Sequence, residues 1–124
     1  MRLFVDDERM PPNDGGQWVV ARTAAEAIQS LELYGMTLKG LGYTVNNSIL
    51  SLDHDLGGVD DTTTGYAVAN WLEQAVILNG FMPPKYLICH SANPVGRARI
   101  MLCFRSIIRF CETSGMKEIP EILS

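Results

Sequence analysis

The sequence predicts an α/β protein in which a mostly parallel sheet lies between two layers of helices. Short apolar runs alternate with segments of helical period along the chain, and this alternation is typical of parallel strands joined by right-handed helical crossovers. Several apolar runs end in clustered polar residues, as expected where the carboxyl ends of strands form a ligand-binding edge. The 124 residues amount to about one domain's worth of chain, so we expect residues 1–124 to form a single domain.

The first half of the chain is predicted to hold three strands and one helix. The strands are short apolar runs at residues 3–5, 18–21 and 49–52. A capping box of Thr23 and Glu26 precedes apolar residues at helical spacing, which predicts a helix that continues to about Tyr34 and stops at Gly35. Residues 10–16 are expected to form a loop because they contain prolines and glycines, and residues 36–47 show no clean period and stay unassigned.

The second half is predicted to hold two helices and a further buried strand. A helical period starts at Thr64 and ends near Gly80, residues 86–89 form an apolar run typical of a buried strand, and residues 95–111 are again helical. Residues 119–123 are either a short fifth strand or a loose tail. The side chains expected in the core are Trp18, Trp71, the methionines and, as a stripe on the last helix, Met101, Phe104, Ile108 and Cys111.

The composition is that of an ordinary globular chain, with 47% hydrophobic and 19% charged residues. Its formal net charge of −4 argues against non-specific binding to nucleic acid or to an anionic membrane, because both need a basic surface. The three cysteines form no Cys-x-x-Cys pair, which favours a reducing compartment. We see no apolar stretch suited to targeting or to membrane insertion, and we therefore expect a cytoplasmic protein.

Acidic residues follow two of the predicted strands. Asp6, Asp7 and Glu8 come directly after the first strand, and Asp53 and Asp55 follow the third. At one edge of a sheet these carboxylates would repel one another by several kcal/mol per close pair. A hard cation such as Mg²⁺ or Mn²⁺ resolves this repulsion and leaves coordination positions for phosphate oxygens. Loops that splay the acids into water are the alternative.

Two histidines are expected at the same edge. His54 stands between Asp53 and Asp55, and His90 and Ser91 follow the fourth predicted strand. Three interpretations of His54 stay open: a general base near neutral pH, a metal ligand, or a polar residue that points away from the site. His90 is either a proton donor to a leaving oxygen or, together with Ser91, part of a cap for the next helix. As a functional residue, Ser91 would donate a hydrogen bond to a phosphoryl oxygen.

Arginines near these segments are candidate phosphate ligands. Arg9 follows the first acidic cluster, and Arg97 lies just inside the last predicted helix, where its guanidinium could clamp a phosphate in bidentate fashion. The alternative for both is a solvated surface charge. Asn93 is a further candidate for phosphate binding. Asp60 and Asp61, which lie among glycines and threonines, are interpreted as a solvated loop or at most a lid.

These residues resemble a known pattern. The Asp6–Asp7 pair, Asp53, Gly65 and Ser91-Ala92 resemble the response-regulator receiver domain, which implies a flavodoxin-like, three-layer α/β/α fold. More narrowly, LFVDDERMPP, a tryptophan before RTAAEAI, SLDHDLGG, TGYAVANWL and HSANPVGR resemble the cyclic-phosphate processing receiver domain family. The resemblance extends from about Leu3 to Met101.

The resemblance implies roles for individual residues. In receivers the acidic pair holds Mg²⁺, the later aspartate accepts a phosphoryl group, and a serine or threonine contacts it, which assigns these roles to Asp6 with Asp7, to Asp53 and to Ser91. A receiver also carries a Lys-Pro pair after its fifth strand, whereas the only lysine beyond the fourth predicted strand here is Lys117. The narrower family implies processing of cyclic phosphates such as those generated in RNA repair.

Our leading hypothesis is metal-dependent hydrolysis of a small cyclic phosphate ester derived from a nucleotide or from ADP-ribose. Asp6, Asp7 and Asp53 would bind Mg²⁺ or Mn²⁺, and water activated by the metal, by His54 or by Asp55 would attack in line. The other expected roles are proton donation to the leaving oxygen by His90 and phosphate binding by Arg9, Ser91, Asn93 and Arg97.

Three alternatives remain at this stage. In one, Asp53 is the nucleophile and an aspartyl-phosphate forms. In another, the protein is a non-catalytic receiver-like module that accepts phosphate on Asp53 or binds a nucleotide, and signals through a protein contact. In the third, it is a structural module without metal.

Overall fold

The computed structural model describes residues 1–40, 47–57, 60 and 62–123, with side chains in the first helix described up to residue 37. Its elements in chain order are β1 (Arg2–Val5), β2 (Val19–Ala21), α1 (Ala24–Gly40), β3 (Ile49–Leu52), α2 (Gly65–Asn79), β4 (Tyr86–Cys89), α3 (Pro94–Thr113) and β5 (Glu121–Leu123). The segment 36–47, which the sequence left unassigned, is helical as far as Gly40, and residues 41–46 lie outside the described residues.

All the described strands belong to one parallel sheet in the order β2-β1-β3-β4-β5. The predicted receiver-like, flavodoxin-type α/β fold is therefore confirmed. The doubtful fifth strand is present, since β5 pairs with β4 from Glu121 to Leu123. The strand order reverses at β1, which lies between β2 and β3, and ligands bind open α/β sheets at such a reversal, beyond the carboxyl ends of the strands.

The described helices form one layer on one face of the sheet. α1 packs against α2, and α2 packs against α3. The three crossovers that contain them run in the same direction across the sheet, and right-handed crossovers of that kind place their helices on the same side. The second helical layer expected from the sequence is not found among the described residues, because a loop rather than a helix connects β1 to β2.

Aromatic side chains cover part of the opposite face. Phe4 alternates along β1 with Leu3 and Val5, which belong to the core under the helices, and it is nevertheless only 5% exposed. Its ring meets that of Trp18 edge-on, with 6.0 Å between the centroids. The guanidinium carbon of Arg2 lies 4.4 Å from the centroid of the Trp18 ring. The side chain of Trp18 is therefore half-buried and packs on this face of the sheet. It does not belong to the main core, where the sequence predicted it.

The main core lies between the sheet and the helices. The buried stripe of α3 consists of Gly96, Ile100, Cys103, Phe104, Ile107 and Cys111. The expected stripe was correct for Phe104 and Cys111 but wrong for Met101 and Ile108, which are only half-buried. Residues 100–104 are all apolar, so the helical period did not identify the inward face. Met10 and Met36 are 74% and 71% exposed, which corrects their expected place in the core.

α1 begins as predicted but ends later. The amide of Glu26 donates to Oγ1 of Thr23 at 3.1 Å, as expected of the capping box. The helix passes through Gly35, where a Cβ would lie 2.3 Å from Cε2 of Phe81. This glycine therefore permits close approach of an aromatic ring and does not stop the helix. No described helix has the length and apolar character needed to cross a bilayer.

Candidate functional site

Three of the predicted site residues occupy one row just beyond the ends of adjacent strands. β1, β3 and β4 are paired in register up to their last residues, and the residues that follow are Asp6, Asp53 and His90. The amide of Asp53 donates to the Val5 carbonyl at 2.9 Å, and the amide of His90 donates to the Leu52 carbonyl at 3.1 Å. These bonds extend the backbone ladder into the row. Consequently one ligand atom from each of the three side chains lies within 4.8 Å of the others.

Asp6 is fully buried and extensively hydrogen-bonded. Its Oδ1 accepts the amides of Glu8 at 2.9 Å and Arg9 at 2.8 Å, and its Oδ2 lies 3.0 Å from Nε2 of His90. Burial acts to raise the pKa of Asp6, but the hydrogen bonds from Arg9, Glu8 and His90 outweigh it and hold the pKa below its ordinary value. Asp6 is therefore a carboxylate at neutral pH.

Asp53 is buried beside Asp6 and only partly hydrogen-bonded. It is 6% exposed, and its Oδ1 accepts the amide of His54 at 2.8 Å. Within the part of the chain that the structure describes, no donor bonds to its Oδ2. Burial raises the pKa of Asp53; the amide of His54 opposes this, and the charge of Asp6 adds to it. Oδ2 is not among the fully buried atoms that lack a partner, and Asp53 lines the adjoining cleft, so this oxygen is accessible to a bound cation.

The imidazole of His90 has a partner at each ring nitrogen. Nδ1 lies 2.8 Å from Oγ of Ser51, and Nε2 faces Asp6. The ring stacks on Phe4, with 4.6 Å between centroids and 4° between planes. Phe4 precedes Asp6 by two residues on β1, and Ser51 precedes Asp53 by two residues on β3. Because side chains two residues apart along a strand point to the same face, Phe4 and Ser51 share a face with the two aspartates. The predicted transfer of a proton from His90 to a substrate would require release of one of these contacts.

A cleft of about 320 Å³ opens over Asp6 and Asp53. The remaining residues that line it are Asp7, Glu8, Arg9, Asp55, Gly57 and Ala92. Gly57 has a φ of 80°, in the left-handed region that favours glycine, and a Cβ there would lie 3.4 Å from Oδ2 of Asp7. Asp7, a predicted metal ligand, is thus at the cleft but outside the compact cluster of Asp6, Asp53 and His90.

His54 lies beneath α3 and does not line the cleft. Its Nδ1 is 2.9 Å from Oδ1 of Asp55. A Cβ on Gly96 would lie 2.2 Å from Cγ of His54, so the missing side chain of Gly96 provides the room for the ring. Nε2 of His54 is buried without a hydrogen-bond partner among the described residues. Of the three interpretations of His54, this arrangement corresponds to a residue that points away from the site.

Two further predicted phosphate ligands, Ser91 and Asn93, form the start of α3. Oγ of Ser91 accepts the amide of Asn93 at 3.1 Å. Oδ1 of Asn93 accepts the amides of Val95 and Gly96, each at 3.1 Å, which satisfies two of the amides at the helix start. The side chain of Asn93 therefore serves as the helix cap.

The two arginines predicted to hold phosphate differ in position. Arg9 lines the cleft, with a side chain that is 55% exposed and whose Nε lies 3.7 Å from Oδ2 of Asp6. Arg97 instead donates to the backbone carbonyl of Cys89 and is not part of the lining. Arg22, which the sequence did not single out, donates to the carbonyls of Asp6 at 2.9 Å and Arg9 at 2.7 Å and so fixes the loop that carries the acids.

The start of α2 packs directly on the backbone of Asp53. The amide of Gly65 donates to the carbonyl of His54 at 2.7 Å. A Cβ on Gly65 would lie 1.8 Å from the carbonyl oxygen of Asp53. Glycine is required at this point because no other residue allows the helix to approach so closely.

These features define a class of protein: a receiver-like α/β domain with buried acids on adjacent strands at the point where the strand order reverses. The model of the cyclic-phosphate processing receiver domain family matches residues 1–106. The chain belongs to this family, and the resemblance seen in its motifs is confirmed. No curated protein and no solved structure matches the chain significantly.

Proposed function

We propose that this protein binds a divalent metal ion at Asp6 and Asp53 and hydrolyses a small cyclic phosphate ester in the cleft above them. The observation that carries the proposal is the pair of adjacent buried carboxylates, one of which has an oxygen without a described hydrogen-bond donor. Membership of a family of cyclic-phosphate processing receiver domains supports phosphate chemistry at this pair.

The charge of the cleft supports the metal requirement. Five carboxylates and one guanidinium, that of Arg9, line it, and this excess of negative charge would repel a phosphate ester. Carboxylate donors fit Mg²⁺ or Mn²⁺. When bound, such an ion supplies the positive charge that neutralises phosphate oxygens and polarises the phosphorus centre.

The residues of the cleft fit two routes to ring opening. In the first, an oxygen of water bonds to phosphorus as one ring P–O bond breaks; the water proton passes to the rim carboxylate of Asp55 or Asp7, and the leaving ring oxygen takes up a proton from that carboxylate or from solvent. In the second, a carboxylate oxygen of Asp53 bonds to phosphorus as the ring P–O bond breaks and solvent protonates the leaving oxygen, and water then hydrolyses the aspartyl-phosphate. Arg9, which lines the cleft, would hold a non-bridging phosphate oxygen in either route.

The alternative of a signalling receiver has weaker support at the site. The resemblance to receivers calls for a lysine after the fifth strand, at the edge where the aspartates lie. The lysines whose side chains are described, Lys85 and Lys117, precede β4 and β5 and so belong to the opposite edge of the sheet. Nζ of Lys85 donates to the carbonyl of Ile119 at 3.0 Å.

Phosphorus NMR tests the proposed reaction. The protein with Mn²⁺ at a substoichiometric level or with Mg²⁺ is incubated with 2′,3′-cyclic nucleotides, 3′,5′-cyclic nucleotides and ADP-ribose 1″,2″-cyclic phosphate. We expect ring opening of at least one compound and its loss in Asp53→Ala. If metal binds but no compound is opened, hydrolysis is refuted for these classes.

A second arm tests the signalling alternative. Acetyl phosphate or beryllofluoride with Mg²⁺ is added to the same protein, and the melting temperature and tryptophan fluorescence are followed. A saturable, reversible change that requires Asp53, in a protein that opens no cyclic phosphate, would favour the phosphate-accepting module over the enzyme.

A further inference from the structure

We infer that His90 is a direct ligand of the metal ion beside Asp6 and Asp53, that the site therefore prefers a first-row transition-metal ion to Mg²⁺, and that Ser51 positions the ring. The inference rests on the metal site of the proposed function and deepens it. It changes the expected role of His90 from proton donor to ligand, and it assigns a role to Ser51, which the sequence did not single out.

The spacing of the donor atoms supports coordination. Nε2 of His90 and Oδ2 of Asp6 are 3.0 Å apart. Adjacent ligands of an octahedral ion with bonds of about 2.1 Å are also separated by roughly 3.0 Å. Together with a carboxylate oxygen of Asp53 these atoms form a group within 4.8 Å. Since Oδ2 of Asp53 lacks a described donor and Asp53 lines the cleft, the group offers an accessible oxygen as well as a compact shape.

The environment of His90 fixes its ring in the orientation that a ligand needs. Stacking on Phe4 sets the plane of the ring, and Ser51 engages Nδ1 at 2.8 Å. A ligating imidazole usually donates its other N–H to a neighbouring acceptor, which fixes the tautomer. The hydroxyl of Ser51 both accepts and donates hydrogen bonds. It therefore suits His90 in both states: it donates to Nδ1 when Nε2 carries the ring proton, and it accepts from Nδ1 when a metal ion occupies Nε2 and the ring proton is on Nδ1.

A nitrogen donor alters the metal preference of the site. Carboxylate oxygens alone suit Mg²⁺, whereas imidazole favours transition metals, whose affinity rises from Mn²⁺ towards Cu²⁺. We therefore expect Co²⁺ to bind more tightly than Mg²⁺, and we expect this preference to depend on His90.

The presence of only two histidines in the chain permits a direct test. Protein without an affinity tag is labelled with ¹⁵N-histidine, loaded with Mn²⁺ and studied by pulsed electron paramagnetic resonance. We expect ¹⁵N coupling to Mn²⁺ in the wild type and in the matched control His54→Gln, and its loss in His90→Gln. Absence of the coupling in metal-loaded wild type would overturn the inference, and so would its loss in His54→Gln. These two measurements decide the matter even if His90→Gln does not fold.

Calorimetry with Co²⁺ and with Mg²⁺ tests the preference and the role of Ser51. We expect the ratio of the two affinities to fall at least about 10-fold in His90→Gln, and the affinity for Co²⁺ to fall about 10-fold in Ser51→Ala. The ¹⁵N coupling should persist in Ser51→Ala because that residue acts through the ring. An unchanged Co²⁺ affinity in a folded Ser51→Ala protein would refute the positioning role.

The outcomes separate this inference from the proposed function. Metal bound without histidine coupling, in a protein that opens cyclic phosphates, would refute the inference and leave the function intact. Coupling of ¹⁵N-histidine to Mn²⁺ without any turnover of cyclic phosphates would support the inference and refute the proposed function.

Discussion

At the residue scale, the two buried aspartates have opposite electrostatic environments. The hydrogen bonds to Asp6 stabilise its ionised form, whereas burial and the neighbouring charge of Asp6 destabilise the ionised form of Asp53. A buried carboxylate whose ionised form is destabilised lowers the free energy of unfolding, and such groups are common in active sites. The increase in the free energy of unfolding when the charge of Asp53 is removed therefore measures this electrostatic destabilisation.

We predict that Asp53→Asn stabilises the metal-free protein at neutral pH. Removal of the unfavourable charge should raise the free energy of unfolding by about 1 kcal/mol and the melting temperature by roughly 4 °C. The matched control Asp6→Asn should lower the melting temperature, because it removes a carboxylate that the fold stabilises. Differential scanning calorimetry without metal measures both. A shift of the two variants in the same direction would contradict this assignment.

The stabilisation by Asp53→Asn should also depend on pH in a defined direction. The pKa of Asp53 is raised in the folded protein, so the cost of its charge is fully present above that pKa. As the pH falls through the raised pKa, Asp53 takes up a proton and the advantage of Asn should shrink. It should be absent below the ordinary value of 3.8. Melting curves of both proteins across the acid range check this trend, and an advantage that grows on acidification would be inconsistent with a raised pKa.

The sequence identified the acids of the site but not their partners. Asp6 and Asp53 could be predicted because each follows an apolar strand. The contact of His90 with Ser51 could not, because it depends on the register of β3 and β4, which no local pattern encodes. A polar residue within the apolar run Ile49–Leu52 was the one available sign that Ser51 has a special role. The orientation of His54 depends on the approach of Gly96 from α3, again a matter of tertiary packing.

At the scale of elements, the loop before α3 illustrates the difference between a helix cap and a phosphate ligand. Asn93 caps α3 through two backbone amides and also donates to Oδ1 of Asp55 at 3.3 Å. Helix caps contribute typically about 1 kcal/mol. These contacts account for Asn93 without any ligand.

We predict that Asn93→Ala lowers the free energy of unfolding by about 1 to 2 kcal/mol, whereas Asn93→Ser, which keeps an acceptor oxygen for the cap without a second carboxylate beside Asp55, retains most of it. Urea denaturation of the two variants measures the difference. Equal losses in both variants would show that the cap does not explain the role of Asn93. If Asn93 binds phosphate instead, Asn93→Ala should weaken substrate binding with little change in stability.

Most elements could be predicted because their apolar periods are clear. α1 differs because Gly35 has a packing role against Phe81 that its local sequence does not reveal. The inward stripe of α3 differs because consecutive apolar residues from Ile100 to Phe104 fit more than one helix face. In both cases the chain pattern determines the type of element, and contacts with other elements determine its end or its orientation.

At the scale of the whole molecule, the three cysteines are core residues. Cys89, Cys103 and Cys111 are buried and free. Burial, together with the charge of Glu73, raises the pKa of Cys103 to about 11, and burial raises the pKa of Cys89 and Cys111 as well. Buried thiols that are not ionised are poor nucleophiles.

We predict that the native protein reacts with a disulfide reagent at pH 8 only as fast as it unfolds, whereas all its thiols react at once in denaturant. Reducing agent should leave the melting temperature unchanged, because no described pair forms a disulfide. Absorbance of the released thiolate measures the rates. Rapid reaction of a thiol in the folded protein would show that the core opens locally, contrary to the burial of all three thiols.

The arrangement of the whole sheet explains how the site arises. The reversal of strand order at β1 brings the ends of β1, β3 and β4 together, and the register aligns their next residues into one acidic row with a histidine. The sequence predicted this edge and the loop between the first two strands, but not the strand order, and the single layer of described helices follows from that order together with the loop.

The dependence of ring opening on a metal ion held by Asp6 and Asp53 is measured as the rate of ring opening against metal concentration. A cyclic phosphate is incubated with wild type and with Asp53→Ala as Mn²⁺ is raised from a chelated baseline, and samples quenched with chelator are measured by phosphorus NMR. We predict no turnover at the baseline, a saturable rise in the wild type and none in Asp53→Ala. Turnover in the presence of chelator, or an equal rise in Asp53→Ala, would show that ring opening does not depend on a metal ion at these two aspartates.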